Sequence, residues 1–143
     1  GYDEISRVFP LFPELKFFIV ANDDKSKFDF NNVEVLGYLK LEEMEKLYNE
    51  ISIVVRIHIN DGLSMSVLEG LAKGKRVIWN YEFSFCLPGT TTEEISNSIN
   101  EIISSNPIPV ADEAAHEYII NDFSRERFMT LFNKIINDVI SRK

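Results

Sequence analysis

The chain has 143 residues, about one domain's worth, and is 45% hydrophobic, 27% charged and 12% aromatic. Its formal charge of −8 and isoelectric point near 4.8 argue against a sequence-independent nucleic-acid binder, which needs an excess of Lys and Arg. A single cysteine, Cys86, excludes an intramolecular disulfide, and no apolar run approaches the roughly 20 residues of a membrane span. No basic n-region followed by an apolar h-region opens the sequence, so a cytoplasmic setting is the expectation.

Short apolar runs alternate with stretches of helical period, the pattern of a parallel sheet covered by helices. Asp3 to Leu11 places Ile5, Val8 and Phe9 on one helical face, and Pro10 and Pro13 then break it. Phe17–Ala21 is a continuous apolar run, expected for a strand buried on both faces. Val33–Leu36 is a shorter strand closed by Gly37. Leu41, Met44, Leu47 and Tyr48 then give a short amphipathic helix, with Glu42 and Glu43 in the first turn where the dipole favours them. Ile51–Ile59 reads as a third strand, rich in β-branched residues and broken by Asp61-Gly62. Val67, Leu68, Leu71 and Ala72 form the buried stripe of the next helix, and Gly74 lies where a C-cap belongs.

Arg76–Trp79 resumes as a strand, and a further strand is expected over Phe83–Leu87, ending at Pro88-Gly89. Thr92, Glu94 and Ile95 open a helix whose face is Ile95, Ile99, Ile102 and Ile103. The remaining chain reads as helical with a break near Asn121–Ser124. Its last part carries the clearest period: Phe128, Leu131, Phe132, Ile135, Ile136, Val139 and Ile140, expected as core or inter-domain packing. The expectation is one α/β domain over residues 1–143, a Rossmann-like parallel sheet flanked by helices.

The stretch from Ile51 to Asn80 is the informative one. In open α/β sheets, ligands bind outside the carboxyl ends of the strands, where helix N-termini point. The loop Ile57–Ser64 belongs at such a place. Its backbone N–H groups and the dipole of a helix beginning near Ser64 could hold a phosphate without a basic side chain. Asp61 precedes that helix and Glu69 lies inside it, next to the buried stripe, where an acid is unexpected unless it has a partner. A structural partner for Glu69 and a helix N-cap role for Asp61 are the plain alternatives. His58 reads as a packed or loop histidine, Asp23-Asp24 as a solvated turn, and Trp79 and Tyr81 as core or rim. Cys86 reads as a small buried apolar residue, and Lys73, Lys75 and Arg76 as a helix C-terminus favoured by the dipole.

The run Asp61-Gly62-Leu63-Ser64-Met65-Ser66-Val67-Leu68-Glu69-Gly70-Leu71-Ala72-Lys73-Gly74-Lys75-Arg76-Val77-Ile78 resembles the signature of glycosyltransferase family 4, the group 1 glycosyltransferases. That signature is an acid, Gly, an aromatic or apolar residue, small residues, then Leu-Glu-Ala-Met-Ala-x-Gly-x-Pro-Val-Ile. Pro13–Val20, Val33–Tyr38, Leu41–Tyr48, Ile51–Val55 and Gly89–Ile95 are similar to further family segments in the same order, so nearly all of the chain is covered. The resemblance implies the C-terminal, donor-binding half of a two-domain GT-B enzyme, with the N-terminal acceptor domain absent from this chain. It assigns Glu69 to the ribose hydroxyls of a UDP- or GDP-linked sugar and Asp61, as the catalytic acid position, to the hydroxyls of the transferred sugar. Gly62, Leu63 and Ser64 are implied to lie near sugar and phosphate, and Gly37 and Tyr38 near the base. An ionised carboxylate can accept from two adjacent hydroxyls, which suits the ribose role.

The implied reaction is a retaining transfer of a hexosyl group to a glycan, lipid or other acceptor, as in polysaccharide biosynthesis, with no metal and no other cofactor. Implied partners are the nucleotide sugar and the missing domain, with no nucleic acid, and any peripheral membrane contact only through the full-length protein. The chain departs from the pattern at Asp61, where Glu is usual, at Ser64, where Gly is usual, at His58, where Ser is common, and at Ala21–Asp24, which replaces a Gly-x-Gly turn. The Arg and Lys that clamp the diphosphate in the family belong to a segment ahead of Gly1, so the isolated chain is expected to transfer no sugar. Two other readings are a binding-only relative that has lost catalysis, and a receiver-type signalling domain suggested by Asp23, Asp24 and Asp61. The second needs a full helix between the first two strands, where only Asn22–Asn32 stands.

Overall fold

The computed structural model describes residues 1–105 and 111–141. In chain order it has α1 (Tyr2–Val8), β1 (Phe17–Val20), β2 (Val33–Gly37), α2 (Leu41–Glu50), β3 (Ile53–Arg56), α3 (Met65–Ala72), β4 (Arg76–Trp79), β5 (Cys86–Pro88), α4 (Thr92–Ser105), α5 (Glu113–Asp122) and α6 (Arg125–Ile140), with single 3-10 turns at Phe9–Leu11 and Lys25–Phe28. Every strand pairing is parallel, and the architecture is the expected Rossmann-like α/β class. The sheet is in two parts, β1-β2 and β3-β4-β5, with no hydrogen-bonded ladder between β1 and β3 among the described residues.

β4 divides the core. Val77 and Trp79 point to one face, where Val67, Leu71, Ala115 and Ile119 of α3 and α5 meet them. Ile78 points to the other, against Val8, Phe12, Ile95, Ile99 and Ile102. Successive side chains of a strand alternate between faces, so one strand of four residues holds both helical layers. Gly70 lets α3 approach closely, since a Cβ there would sit 3.1 Å from Val54 and 3.2 Å from Val77.

The helix ends follow local chemistry. α4 opens with a capping box: Thr91 Oγ1 accepts from the Glu94 N–H, and Glu94 accepts from the Thr91 N–H. Glu4 of α1 reaches across and accepts from both the N–H and the hydroxyl of Thr92 at 2.7 and 2.6 Å, which ties the two helices together. α3 ends at Gly74, whose φ of +65° lets its N–H turn back to the Leu71 carbonyl. α6 starts at Ser124, whose Oγ accepts from the Arg127 N–H, so the break falls inside the expected stretch Asn121–Ser124.

Several expectations are corrected. The helix over Asp3–Leu11 is α-helical only to Val8, because Pro10 cannot donate and its segment tightens into a 3-10 turn. The strand expected over Ile51–Ile59 is only Ile53–Arg56. Ile51 caps α2, and beyond Arg56 the Asn80 side chain, not a neighbouring strand, takes both the N–H and the carbonyl of His58. The strand expected over Phe83–Leu87 is Cys86–Pro88, since Phe85 lies at φ +65°, outside extended backbone. β1, expected to be buried on both faces, is half-buried throughout, as is β3; each carries an unpaired edge. Ile103 falls off the α4 core face and is exposed. α6 has no buried residue, and Phe128 through Ile140 of its stripe are exposed, so that stripe is not core among the described residues. Of the expected helical C-terminal part, residues 106–110, 142 and 143 lie outside the described residues.

Two measurements check this account. Gly74→Ala would place a Cβ in left-handed backbone 2.8 Å from Ala111, and is expected to lose about 1–2 kcal/mol in chemical denaturation. Ile78→Ala, truncating a fully buried side chain, is expected to lose about 2–5 kcal/mol.

Candidate functional site

The carboxyl ends of β3 and β4 lead into the two segments that build the site, 57–64 and 80–81. The loop has no strand partner, so side chains from beyond β4 hold its backbone. Asn80 brackets His58 from both sides, with the His58 N–H donating to Asn80 Oδ1 at 3.1 Å and Asn80 Nδ2 donating to the His58 carbonyl at 2.9 Å. The Tyr81 hydroxyl donates to the Ile59 carbonyl at 2.8 Å and accepts from the Asp61 N–H at 3.3 Å. Two residues placed by β4 therefore fix four loop groups. Neither was singled out for this in the sequence, although a polar pair directly after a buried strand is the signal that could have found them.

Asp61 lies in this loop, but it does not cap α3. Ser64 is the N-cap residue by backbone geometry, with its Oγ 3.0 Å from Ser66 Oγ rather than on a helix N–H. Asp61 instead pairs with Arg56, whose Nε donates to Oδ2 at 2.9 Å and whose second nitrogen approaches Oδ1 at 3.4 Å. This guanidinium, placed by the last residue of β3, holds the Asp61 carboxyl below its ordinary value. Its side chain is 13% exposed and that of Arg56 37% exposed, so the pair sits at the rim of water. Arg56 was not singled out in the sequence, although a cation closing the apolar run Ile53-Val54-Val55 is the signal that could have found it. The indole nitrogen of buried Trp79 has no hydrogen-bond partner among the described residues.

Glu69 stands on the exposed side of α3 and has a partner, which is a phenol and not a cation. The Tyr48 hydroxyl, at the end of α2, donates to Glu69 Oε2 at 3.1 Å. Tyr48 is 3% exposed, and burial with the neighbouring carboxylate raises its phenol well above the ordinary value. The Tyr48 hydroxyl therefore stays a donor throughout the neutral range and orients Glu69. Lys73, whose ammonium lies over the Tyr48 ring, pairs with Glu45.

The other expected site residues differ in their exposure. Gly62 and Leu63 are exposed, and a Cβ on Gly62 would meet nothing within 4 Å. Ser64 is buried. Gly37, at φ +69°, turns the chain out of β2 so that Tyr38 stands 76% exposed. The structure places Asp61, Gly62, Leu63 and Ser64 in one loop and Glu69 on the helix that follows it. Gly37 and Tyr38 belong to the other sheet part. Two open concavities lie elsewhere, one beside Pro13–Lys16 and Asn31–Glu34 and one around Phe18, Leu36 and Leu47. The candidate site is thus an open edge.

Asp23 and Asp24 form the expected solvated turn, with Asp24 accepting from Ser26 and pairing with Lys27. Cys86 is half-buried, and burial raises its thiol to about 11, which keeps it protonated and unreactive at neutral pH. No group of three or more metal-ligating side chains occurs among the described residues, and none of the described helices is long and apolar enough to cross a membrane. Neither the protein-family models nor the curated proteins contain a match to this chain.

The Arg56–Asp61 pair has a pH signature. A carboxyl held below its unfolded value contributes stability above about pH 4 and loses it as pH falls through the folded value. Asp61→Asn is expected to cost about 0.5–1 kcal/mol at pH 7, the range for a water-exposed pair. The gap to the parent chain should narrow as pH falls below about 4, measured by urea denaturation from neutral to acid pH.

Proposed function

We propose that this chain is the donor-binding domain of a retaining glycosyltransferase of the family 4 kind, taking a UDP- or GDP-linked sugar on the edge formed by residues 57–64 and α3. The observation that supports it best is Glu69. Its carboxylate is exposed, oriented by the Tyr48 hydroxyl through one oxygen, and has the other oxygen available to a ligand's vicinal hydroxyls. The α3 N-terminus, with no side-chain cap, is an anion-favouring end beside the same loop. In this reading the diphosphate lies over Gly62–Ser64, and Arg56 offers a guanidinium that can turn from Asp61 to phosphate oxygens. Gly37 and Tyr38 meet the base. The acceptor binds on a separate domain, the setting is cytoplasmic, and the reaction uses no metal.

The Arg56–Asp61 pair also favours a second reading, binding without transfer, because Asp61 is neutralised by a cation where the reaction needs a free acid against the sugar. Turnover by the full-length protein separates the two, since the binding-only reading expects none. If transfer is retained, Arg56 must leave Asp61 when the diphosphate arrives, so Arg56→Gln weakens nucleotide binding and abolishes turnover in the full-length protein. In the binding-only reading it weakens binding alone.

Titration of the chain with UDP and GDP by NMR is expected to shift the resonances of Glu69 and Gly62 with at least one of them. Glu69→Gln should weaken that binding about 10-fold, the scale of losing charge-assisted hydrogen bonds, while Tyr48→Phe weakens it by a smaller factor. Unshifted resonances with both nucleotides would sink the proposal. The purified chain alone should release no sugar from either class of donor.

A further inference from the structure

The indole N–H of Trp79 is the one buried side-chain polar group without a hydrogen-bond partner among the described residues. Trp79 is 4% exposed, and its ring is flanked by those of Tyr81 and Phe83 at 5.5 and 5.8 Å. An indole nitrogen donates and does not accept, so only an acceptor brought to it can satisfy it. The buried side chains clustered with it, Val67, Leu71, Val77, Ala115 and Ile119, carry none. A buried donor left without an acceptor is costly.

The strand register shows where an acceptor stands. Trp79 closes β4 directly opposite Arg56, which closes β3. Two residues earlier, the paired Val54 and Val77 pack in the cluster that contains α3. Side chains alternate along a strand, so Arg56 and Trp79 leave the sheet on that same face. Asp61 is held here twice: its carboxylate by Arg56 at 2.9 and 3.4 Å, and its N–H by the Tyr81 hydroxyl at 3.3 Å. Arg56 is the main group keeping the carboxylate ionised, and the Trp79 N–H is a smaller influence in the same direction. The indole is thus near the carboxylate, yet no hydrogen bond joins them. The guanidinium has taken both oxygens.

We infer that Trp79 is a positioning residue for Asp61: when the Arg56 guanidinium turns to an anion, the carboxylate moves onto the indole N–H and stays in place. Only hydrogen bonds are exchanged, and no proton changes owner. An indole orients a carboxylate without cancelling its charge, whereas a guanidinium neutralises it. The identity of the anion as a donor diphosphate rests on the nucleotide-sugar reading. In that reading the exchange leaves Asp61 facing the sugar as a free, fixed carboxylate.

Trp79 is the single tryptophan of the chain, so a 15N-labelled sample gives one indole N–H signal. Arg56→Met removes the competing donor from a strand-end side chain that is 37% exposed. In this variant the indole proton is expected to move downfield and to exchange with solvent about tenfold more slowly, the scale of a charge-assisted hydrogen bond. Adding Asp61→Ala should reverse both changes. An indole signal unmoved in Arg56→Met, or moved equally in the double variant, overturns the inference. Sodium pyrophosphate added to the parent chain should move the signal in the same direction as Arg56→Met. An unmoved signal overturns the assignment of the exchange to an anion.

Trp79→Phe gives an independent measurement, since it keeps a ring in the core and removes the donor. The ionisable groups facing Asp61 among the described residues are Arg56 from β3, His58 from its own loop and Tyr81 from beyond β4. Asp61 should titrate at a higher pH in Arg56→Met/Trp79→Phe than in Arg56→Met, because a donor to the charged form lowers a carboxyl. Equal titration overturns the inference. These variants are read without nucleotide, so their failure leaves the donor-binding reading standing. Failure of UDP and GDP to bind leaves the exchange between Arg56 and Trp79 standing.

Discussion

Val77, Ile78 and Trp79 are withdrawn from water on both faces of a single strand, and the rest of the molecule is arranged around that fact. One face of β4 anchors α3 and α5, and the other anchors α1 and α4. Burial of three large apolar side chains in one strand, at about 25 cal/mol per Å2, is a strong local driving force. It also sets the direction of everything that follows the strand. Asn80 and Tyr81 emerge at its carboxyl end with no choice of location, and they hold the backbone of a loop that has no ladder of its own.

The candidate site is therefore a consequence of the core. Arg56 closes β3 and meets Asp61; Asn80 and Tyr81 close β4 and hold His58, Ile59 and Asp61. Glu69 is placed by α3, whose inner stripe of Val67 and Leu71 is locked against β4, and it is aimed by Tyr48 from α2. Each polar group at the edge is fixed by a residue that is itself next to buried apolar surface. The buried Tyr48 is the group that gains most from the contact, since its hydroxyl finds an acceptor in the exposed Glu69 carboxylate.

Much of the fold was legible because it rests on period and punctuation. The apolar stripe of α3, the glycine at its end, the Thr91–Glu94 cap of α4 and the break before Ser124 are local signals with local causes. Strand ends were less legible. Ile57 and Ile59 are as β-branched as Ile53, yet they leave the sheet because Asn80, 22 residues away from His58, supplies their neighbour's hydrogen bonds. The α6 stripe shows the same limit from the other side: helical period reveals an apolar face but says nothing about what meets it.

The sequence by itself determined the class of fold, the parallel strands, and the place of Asp61 and Glu69 around the start of one helix, since spacing and hydrophobic pattern are properties of the chain alone. Only the tertiary structure decided who their partners are. Asp61 is held by Arg56 and Glu69 by Tyr48, and the sheet is parted between β1 and β3. Those outcomes depend on which side chains and strand edges the packed core brings within hydrogen-bond distance. The contact between Tyr48 and Glu69 joins residues 21 apart in sequence, a separation at which local pattern carries no information.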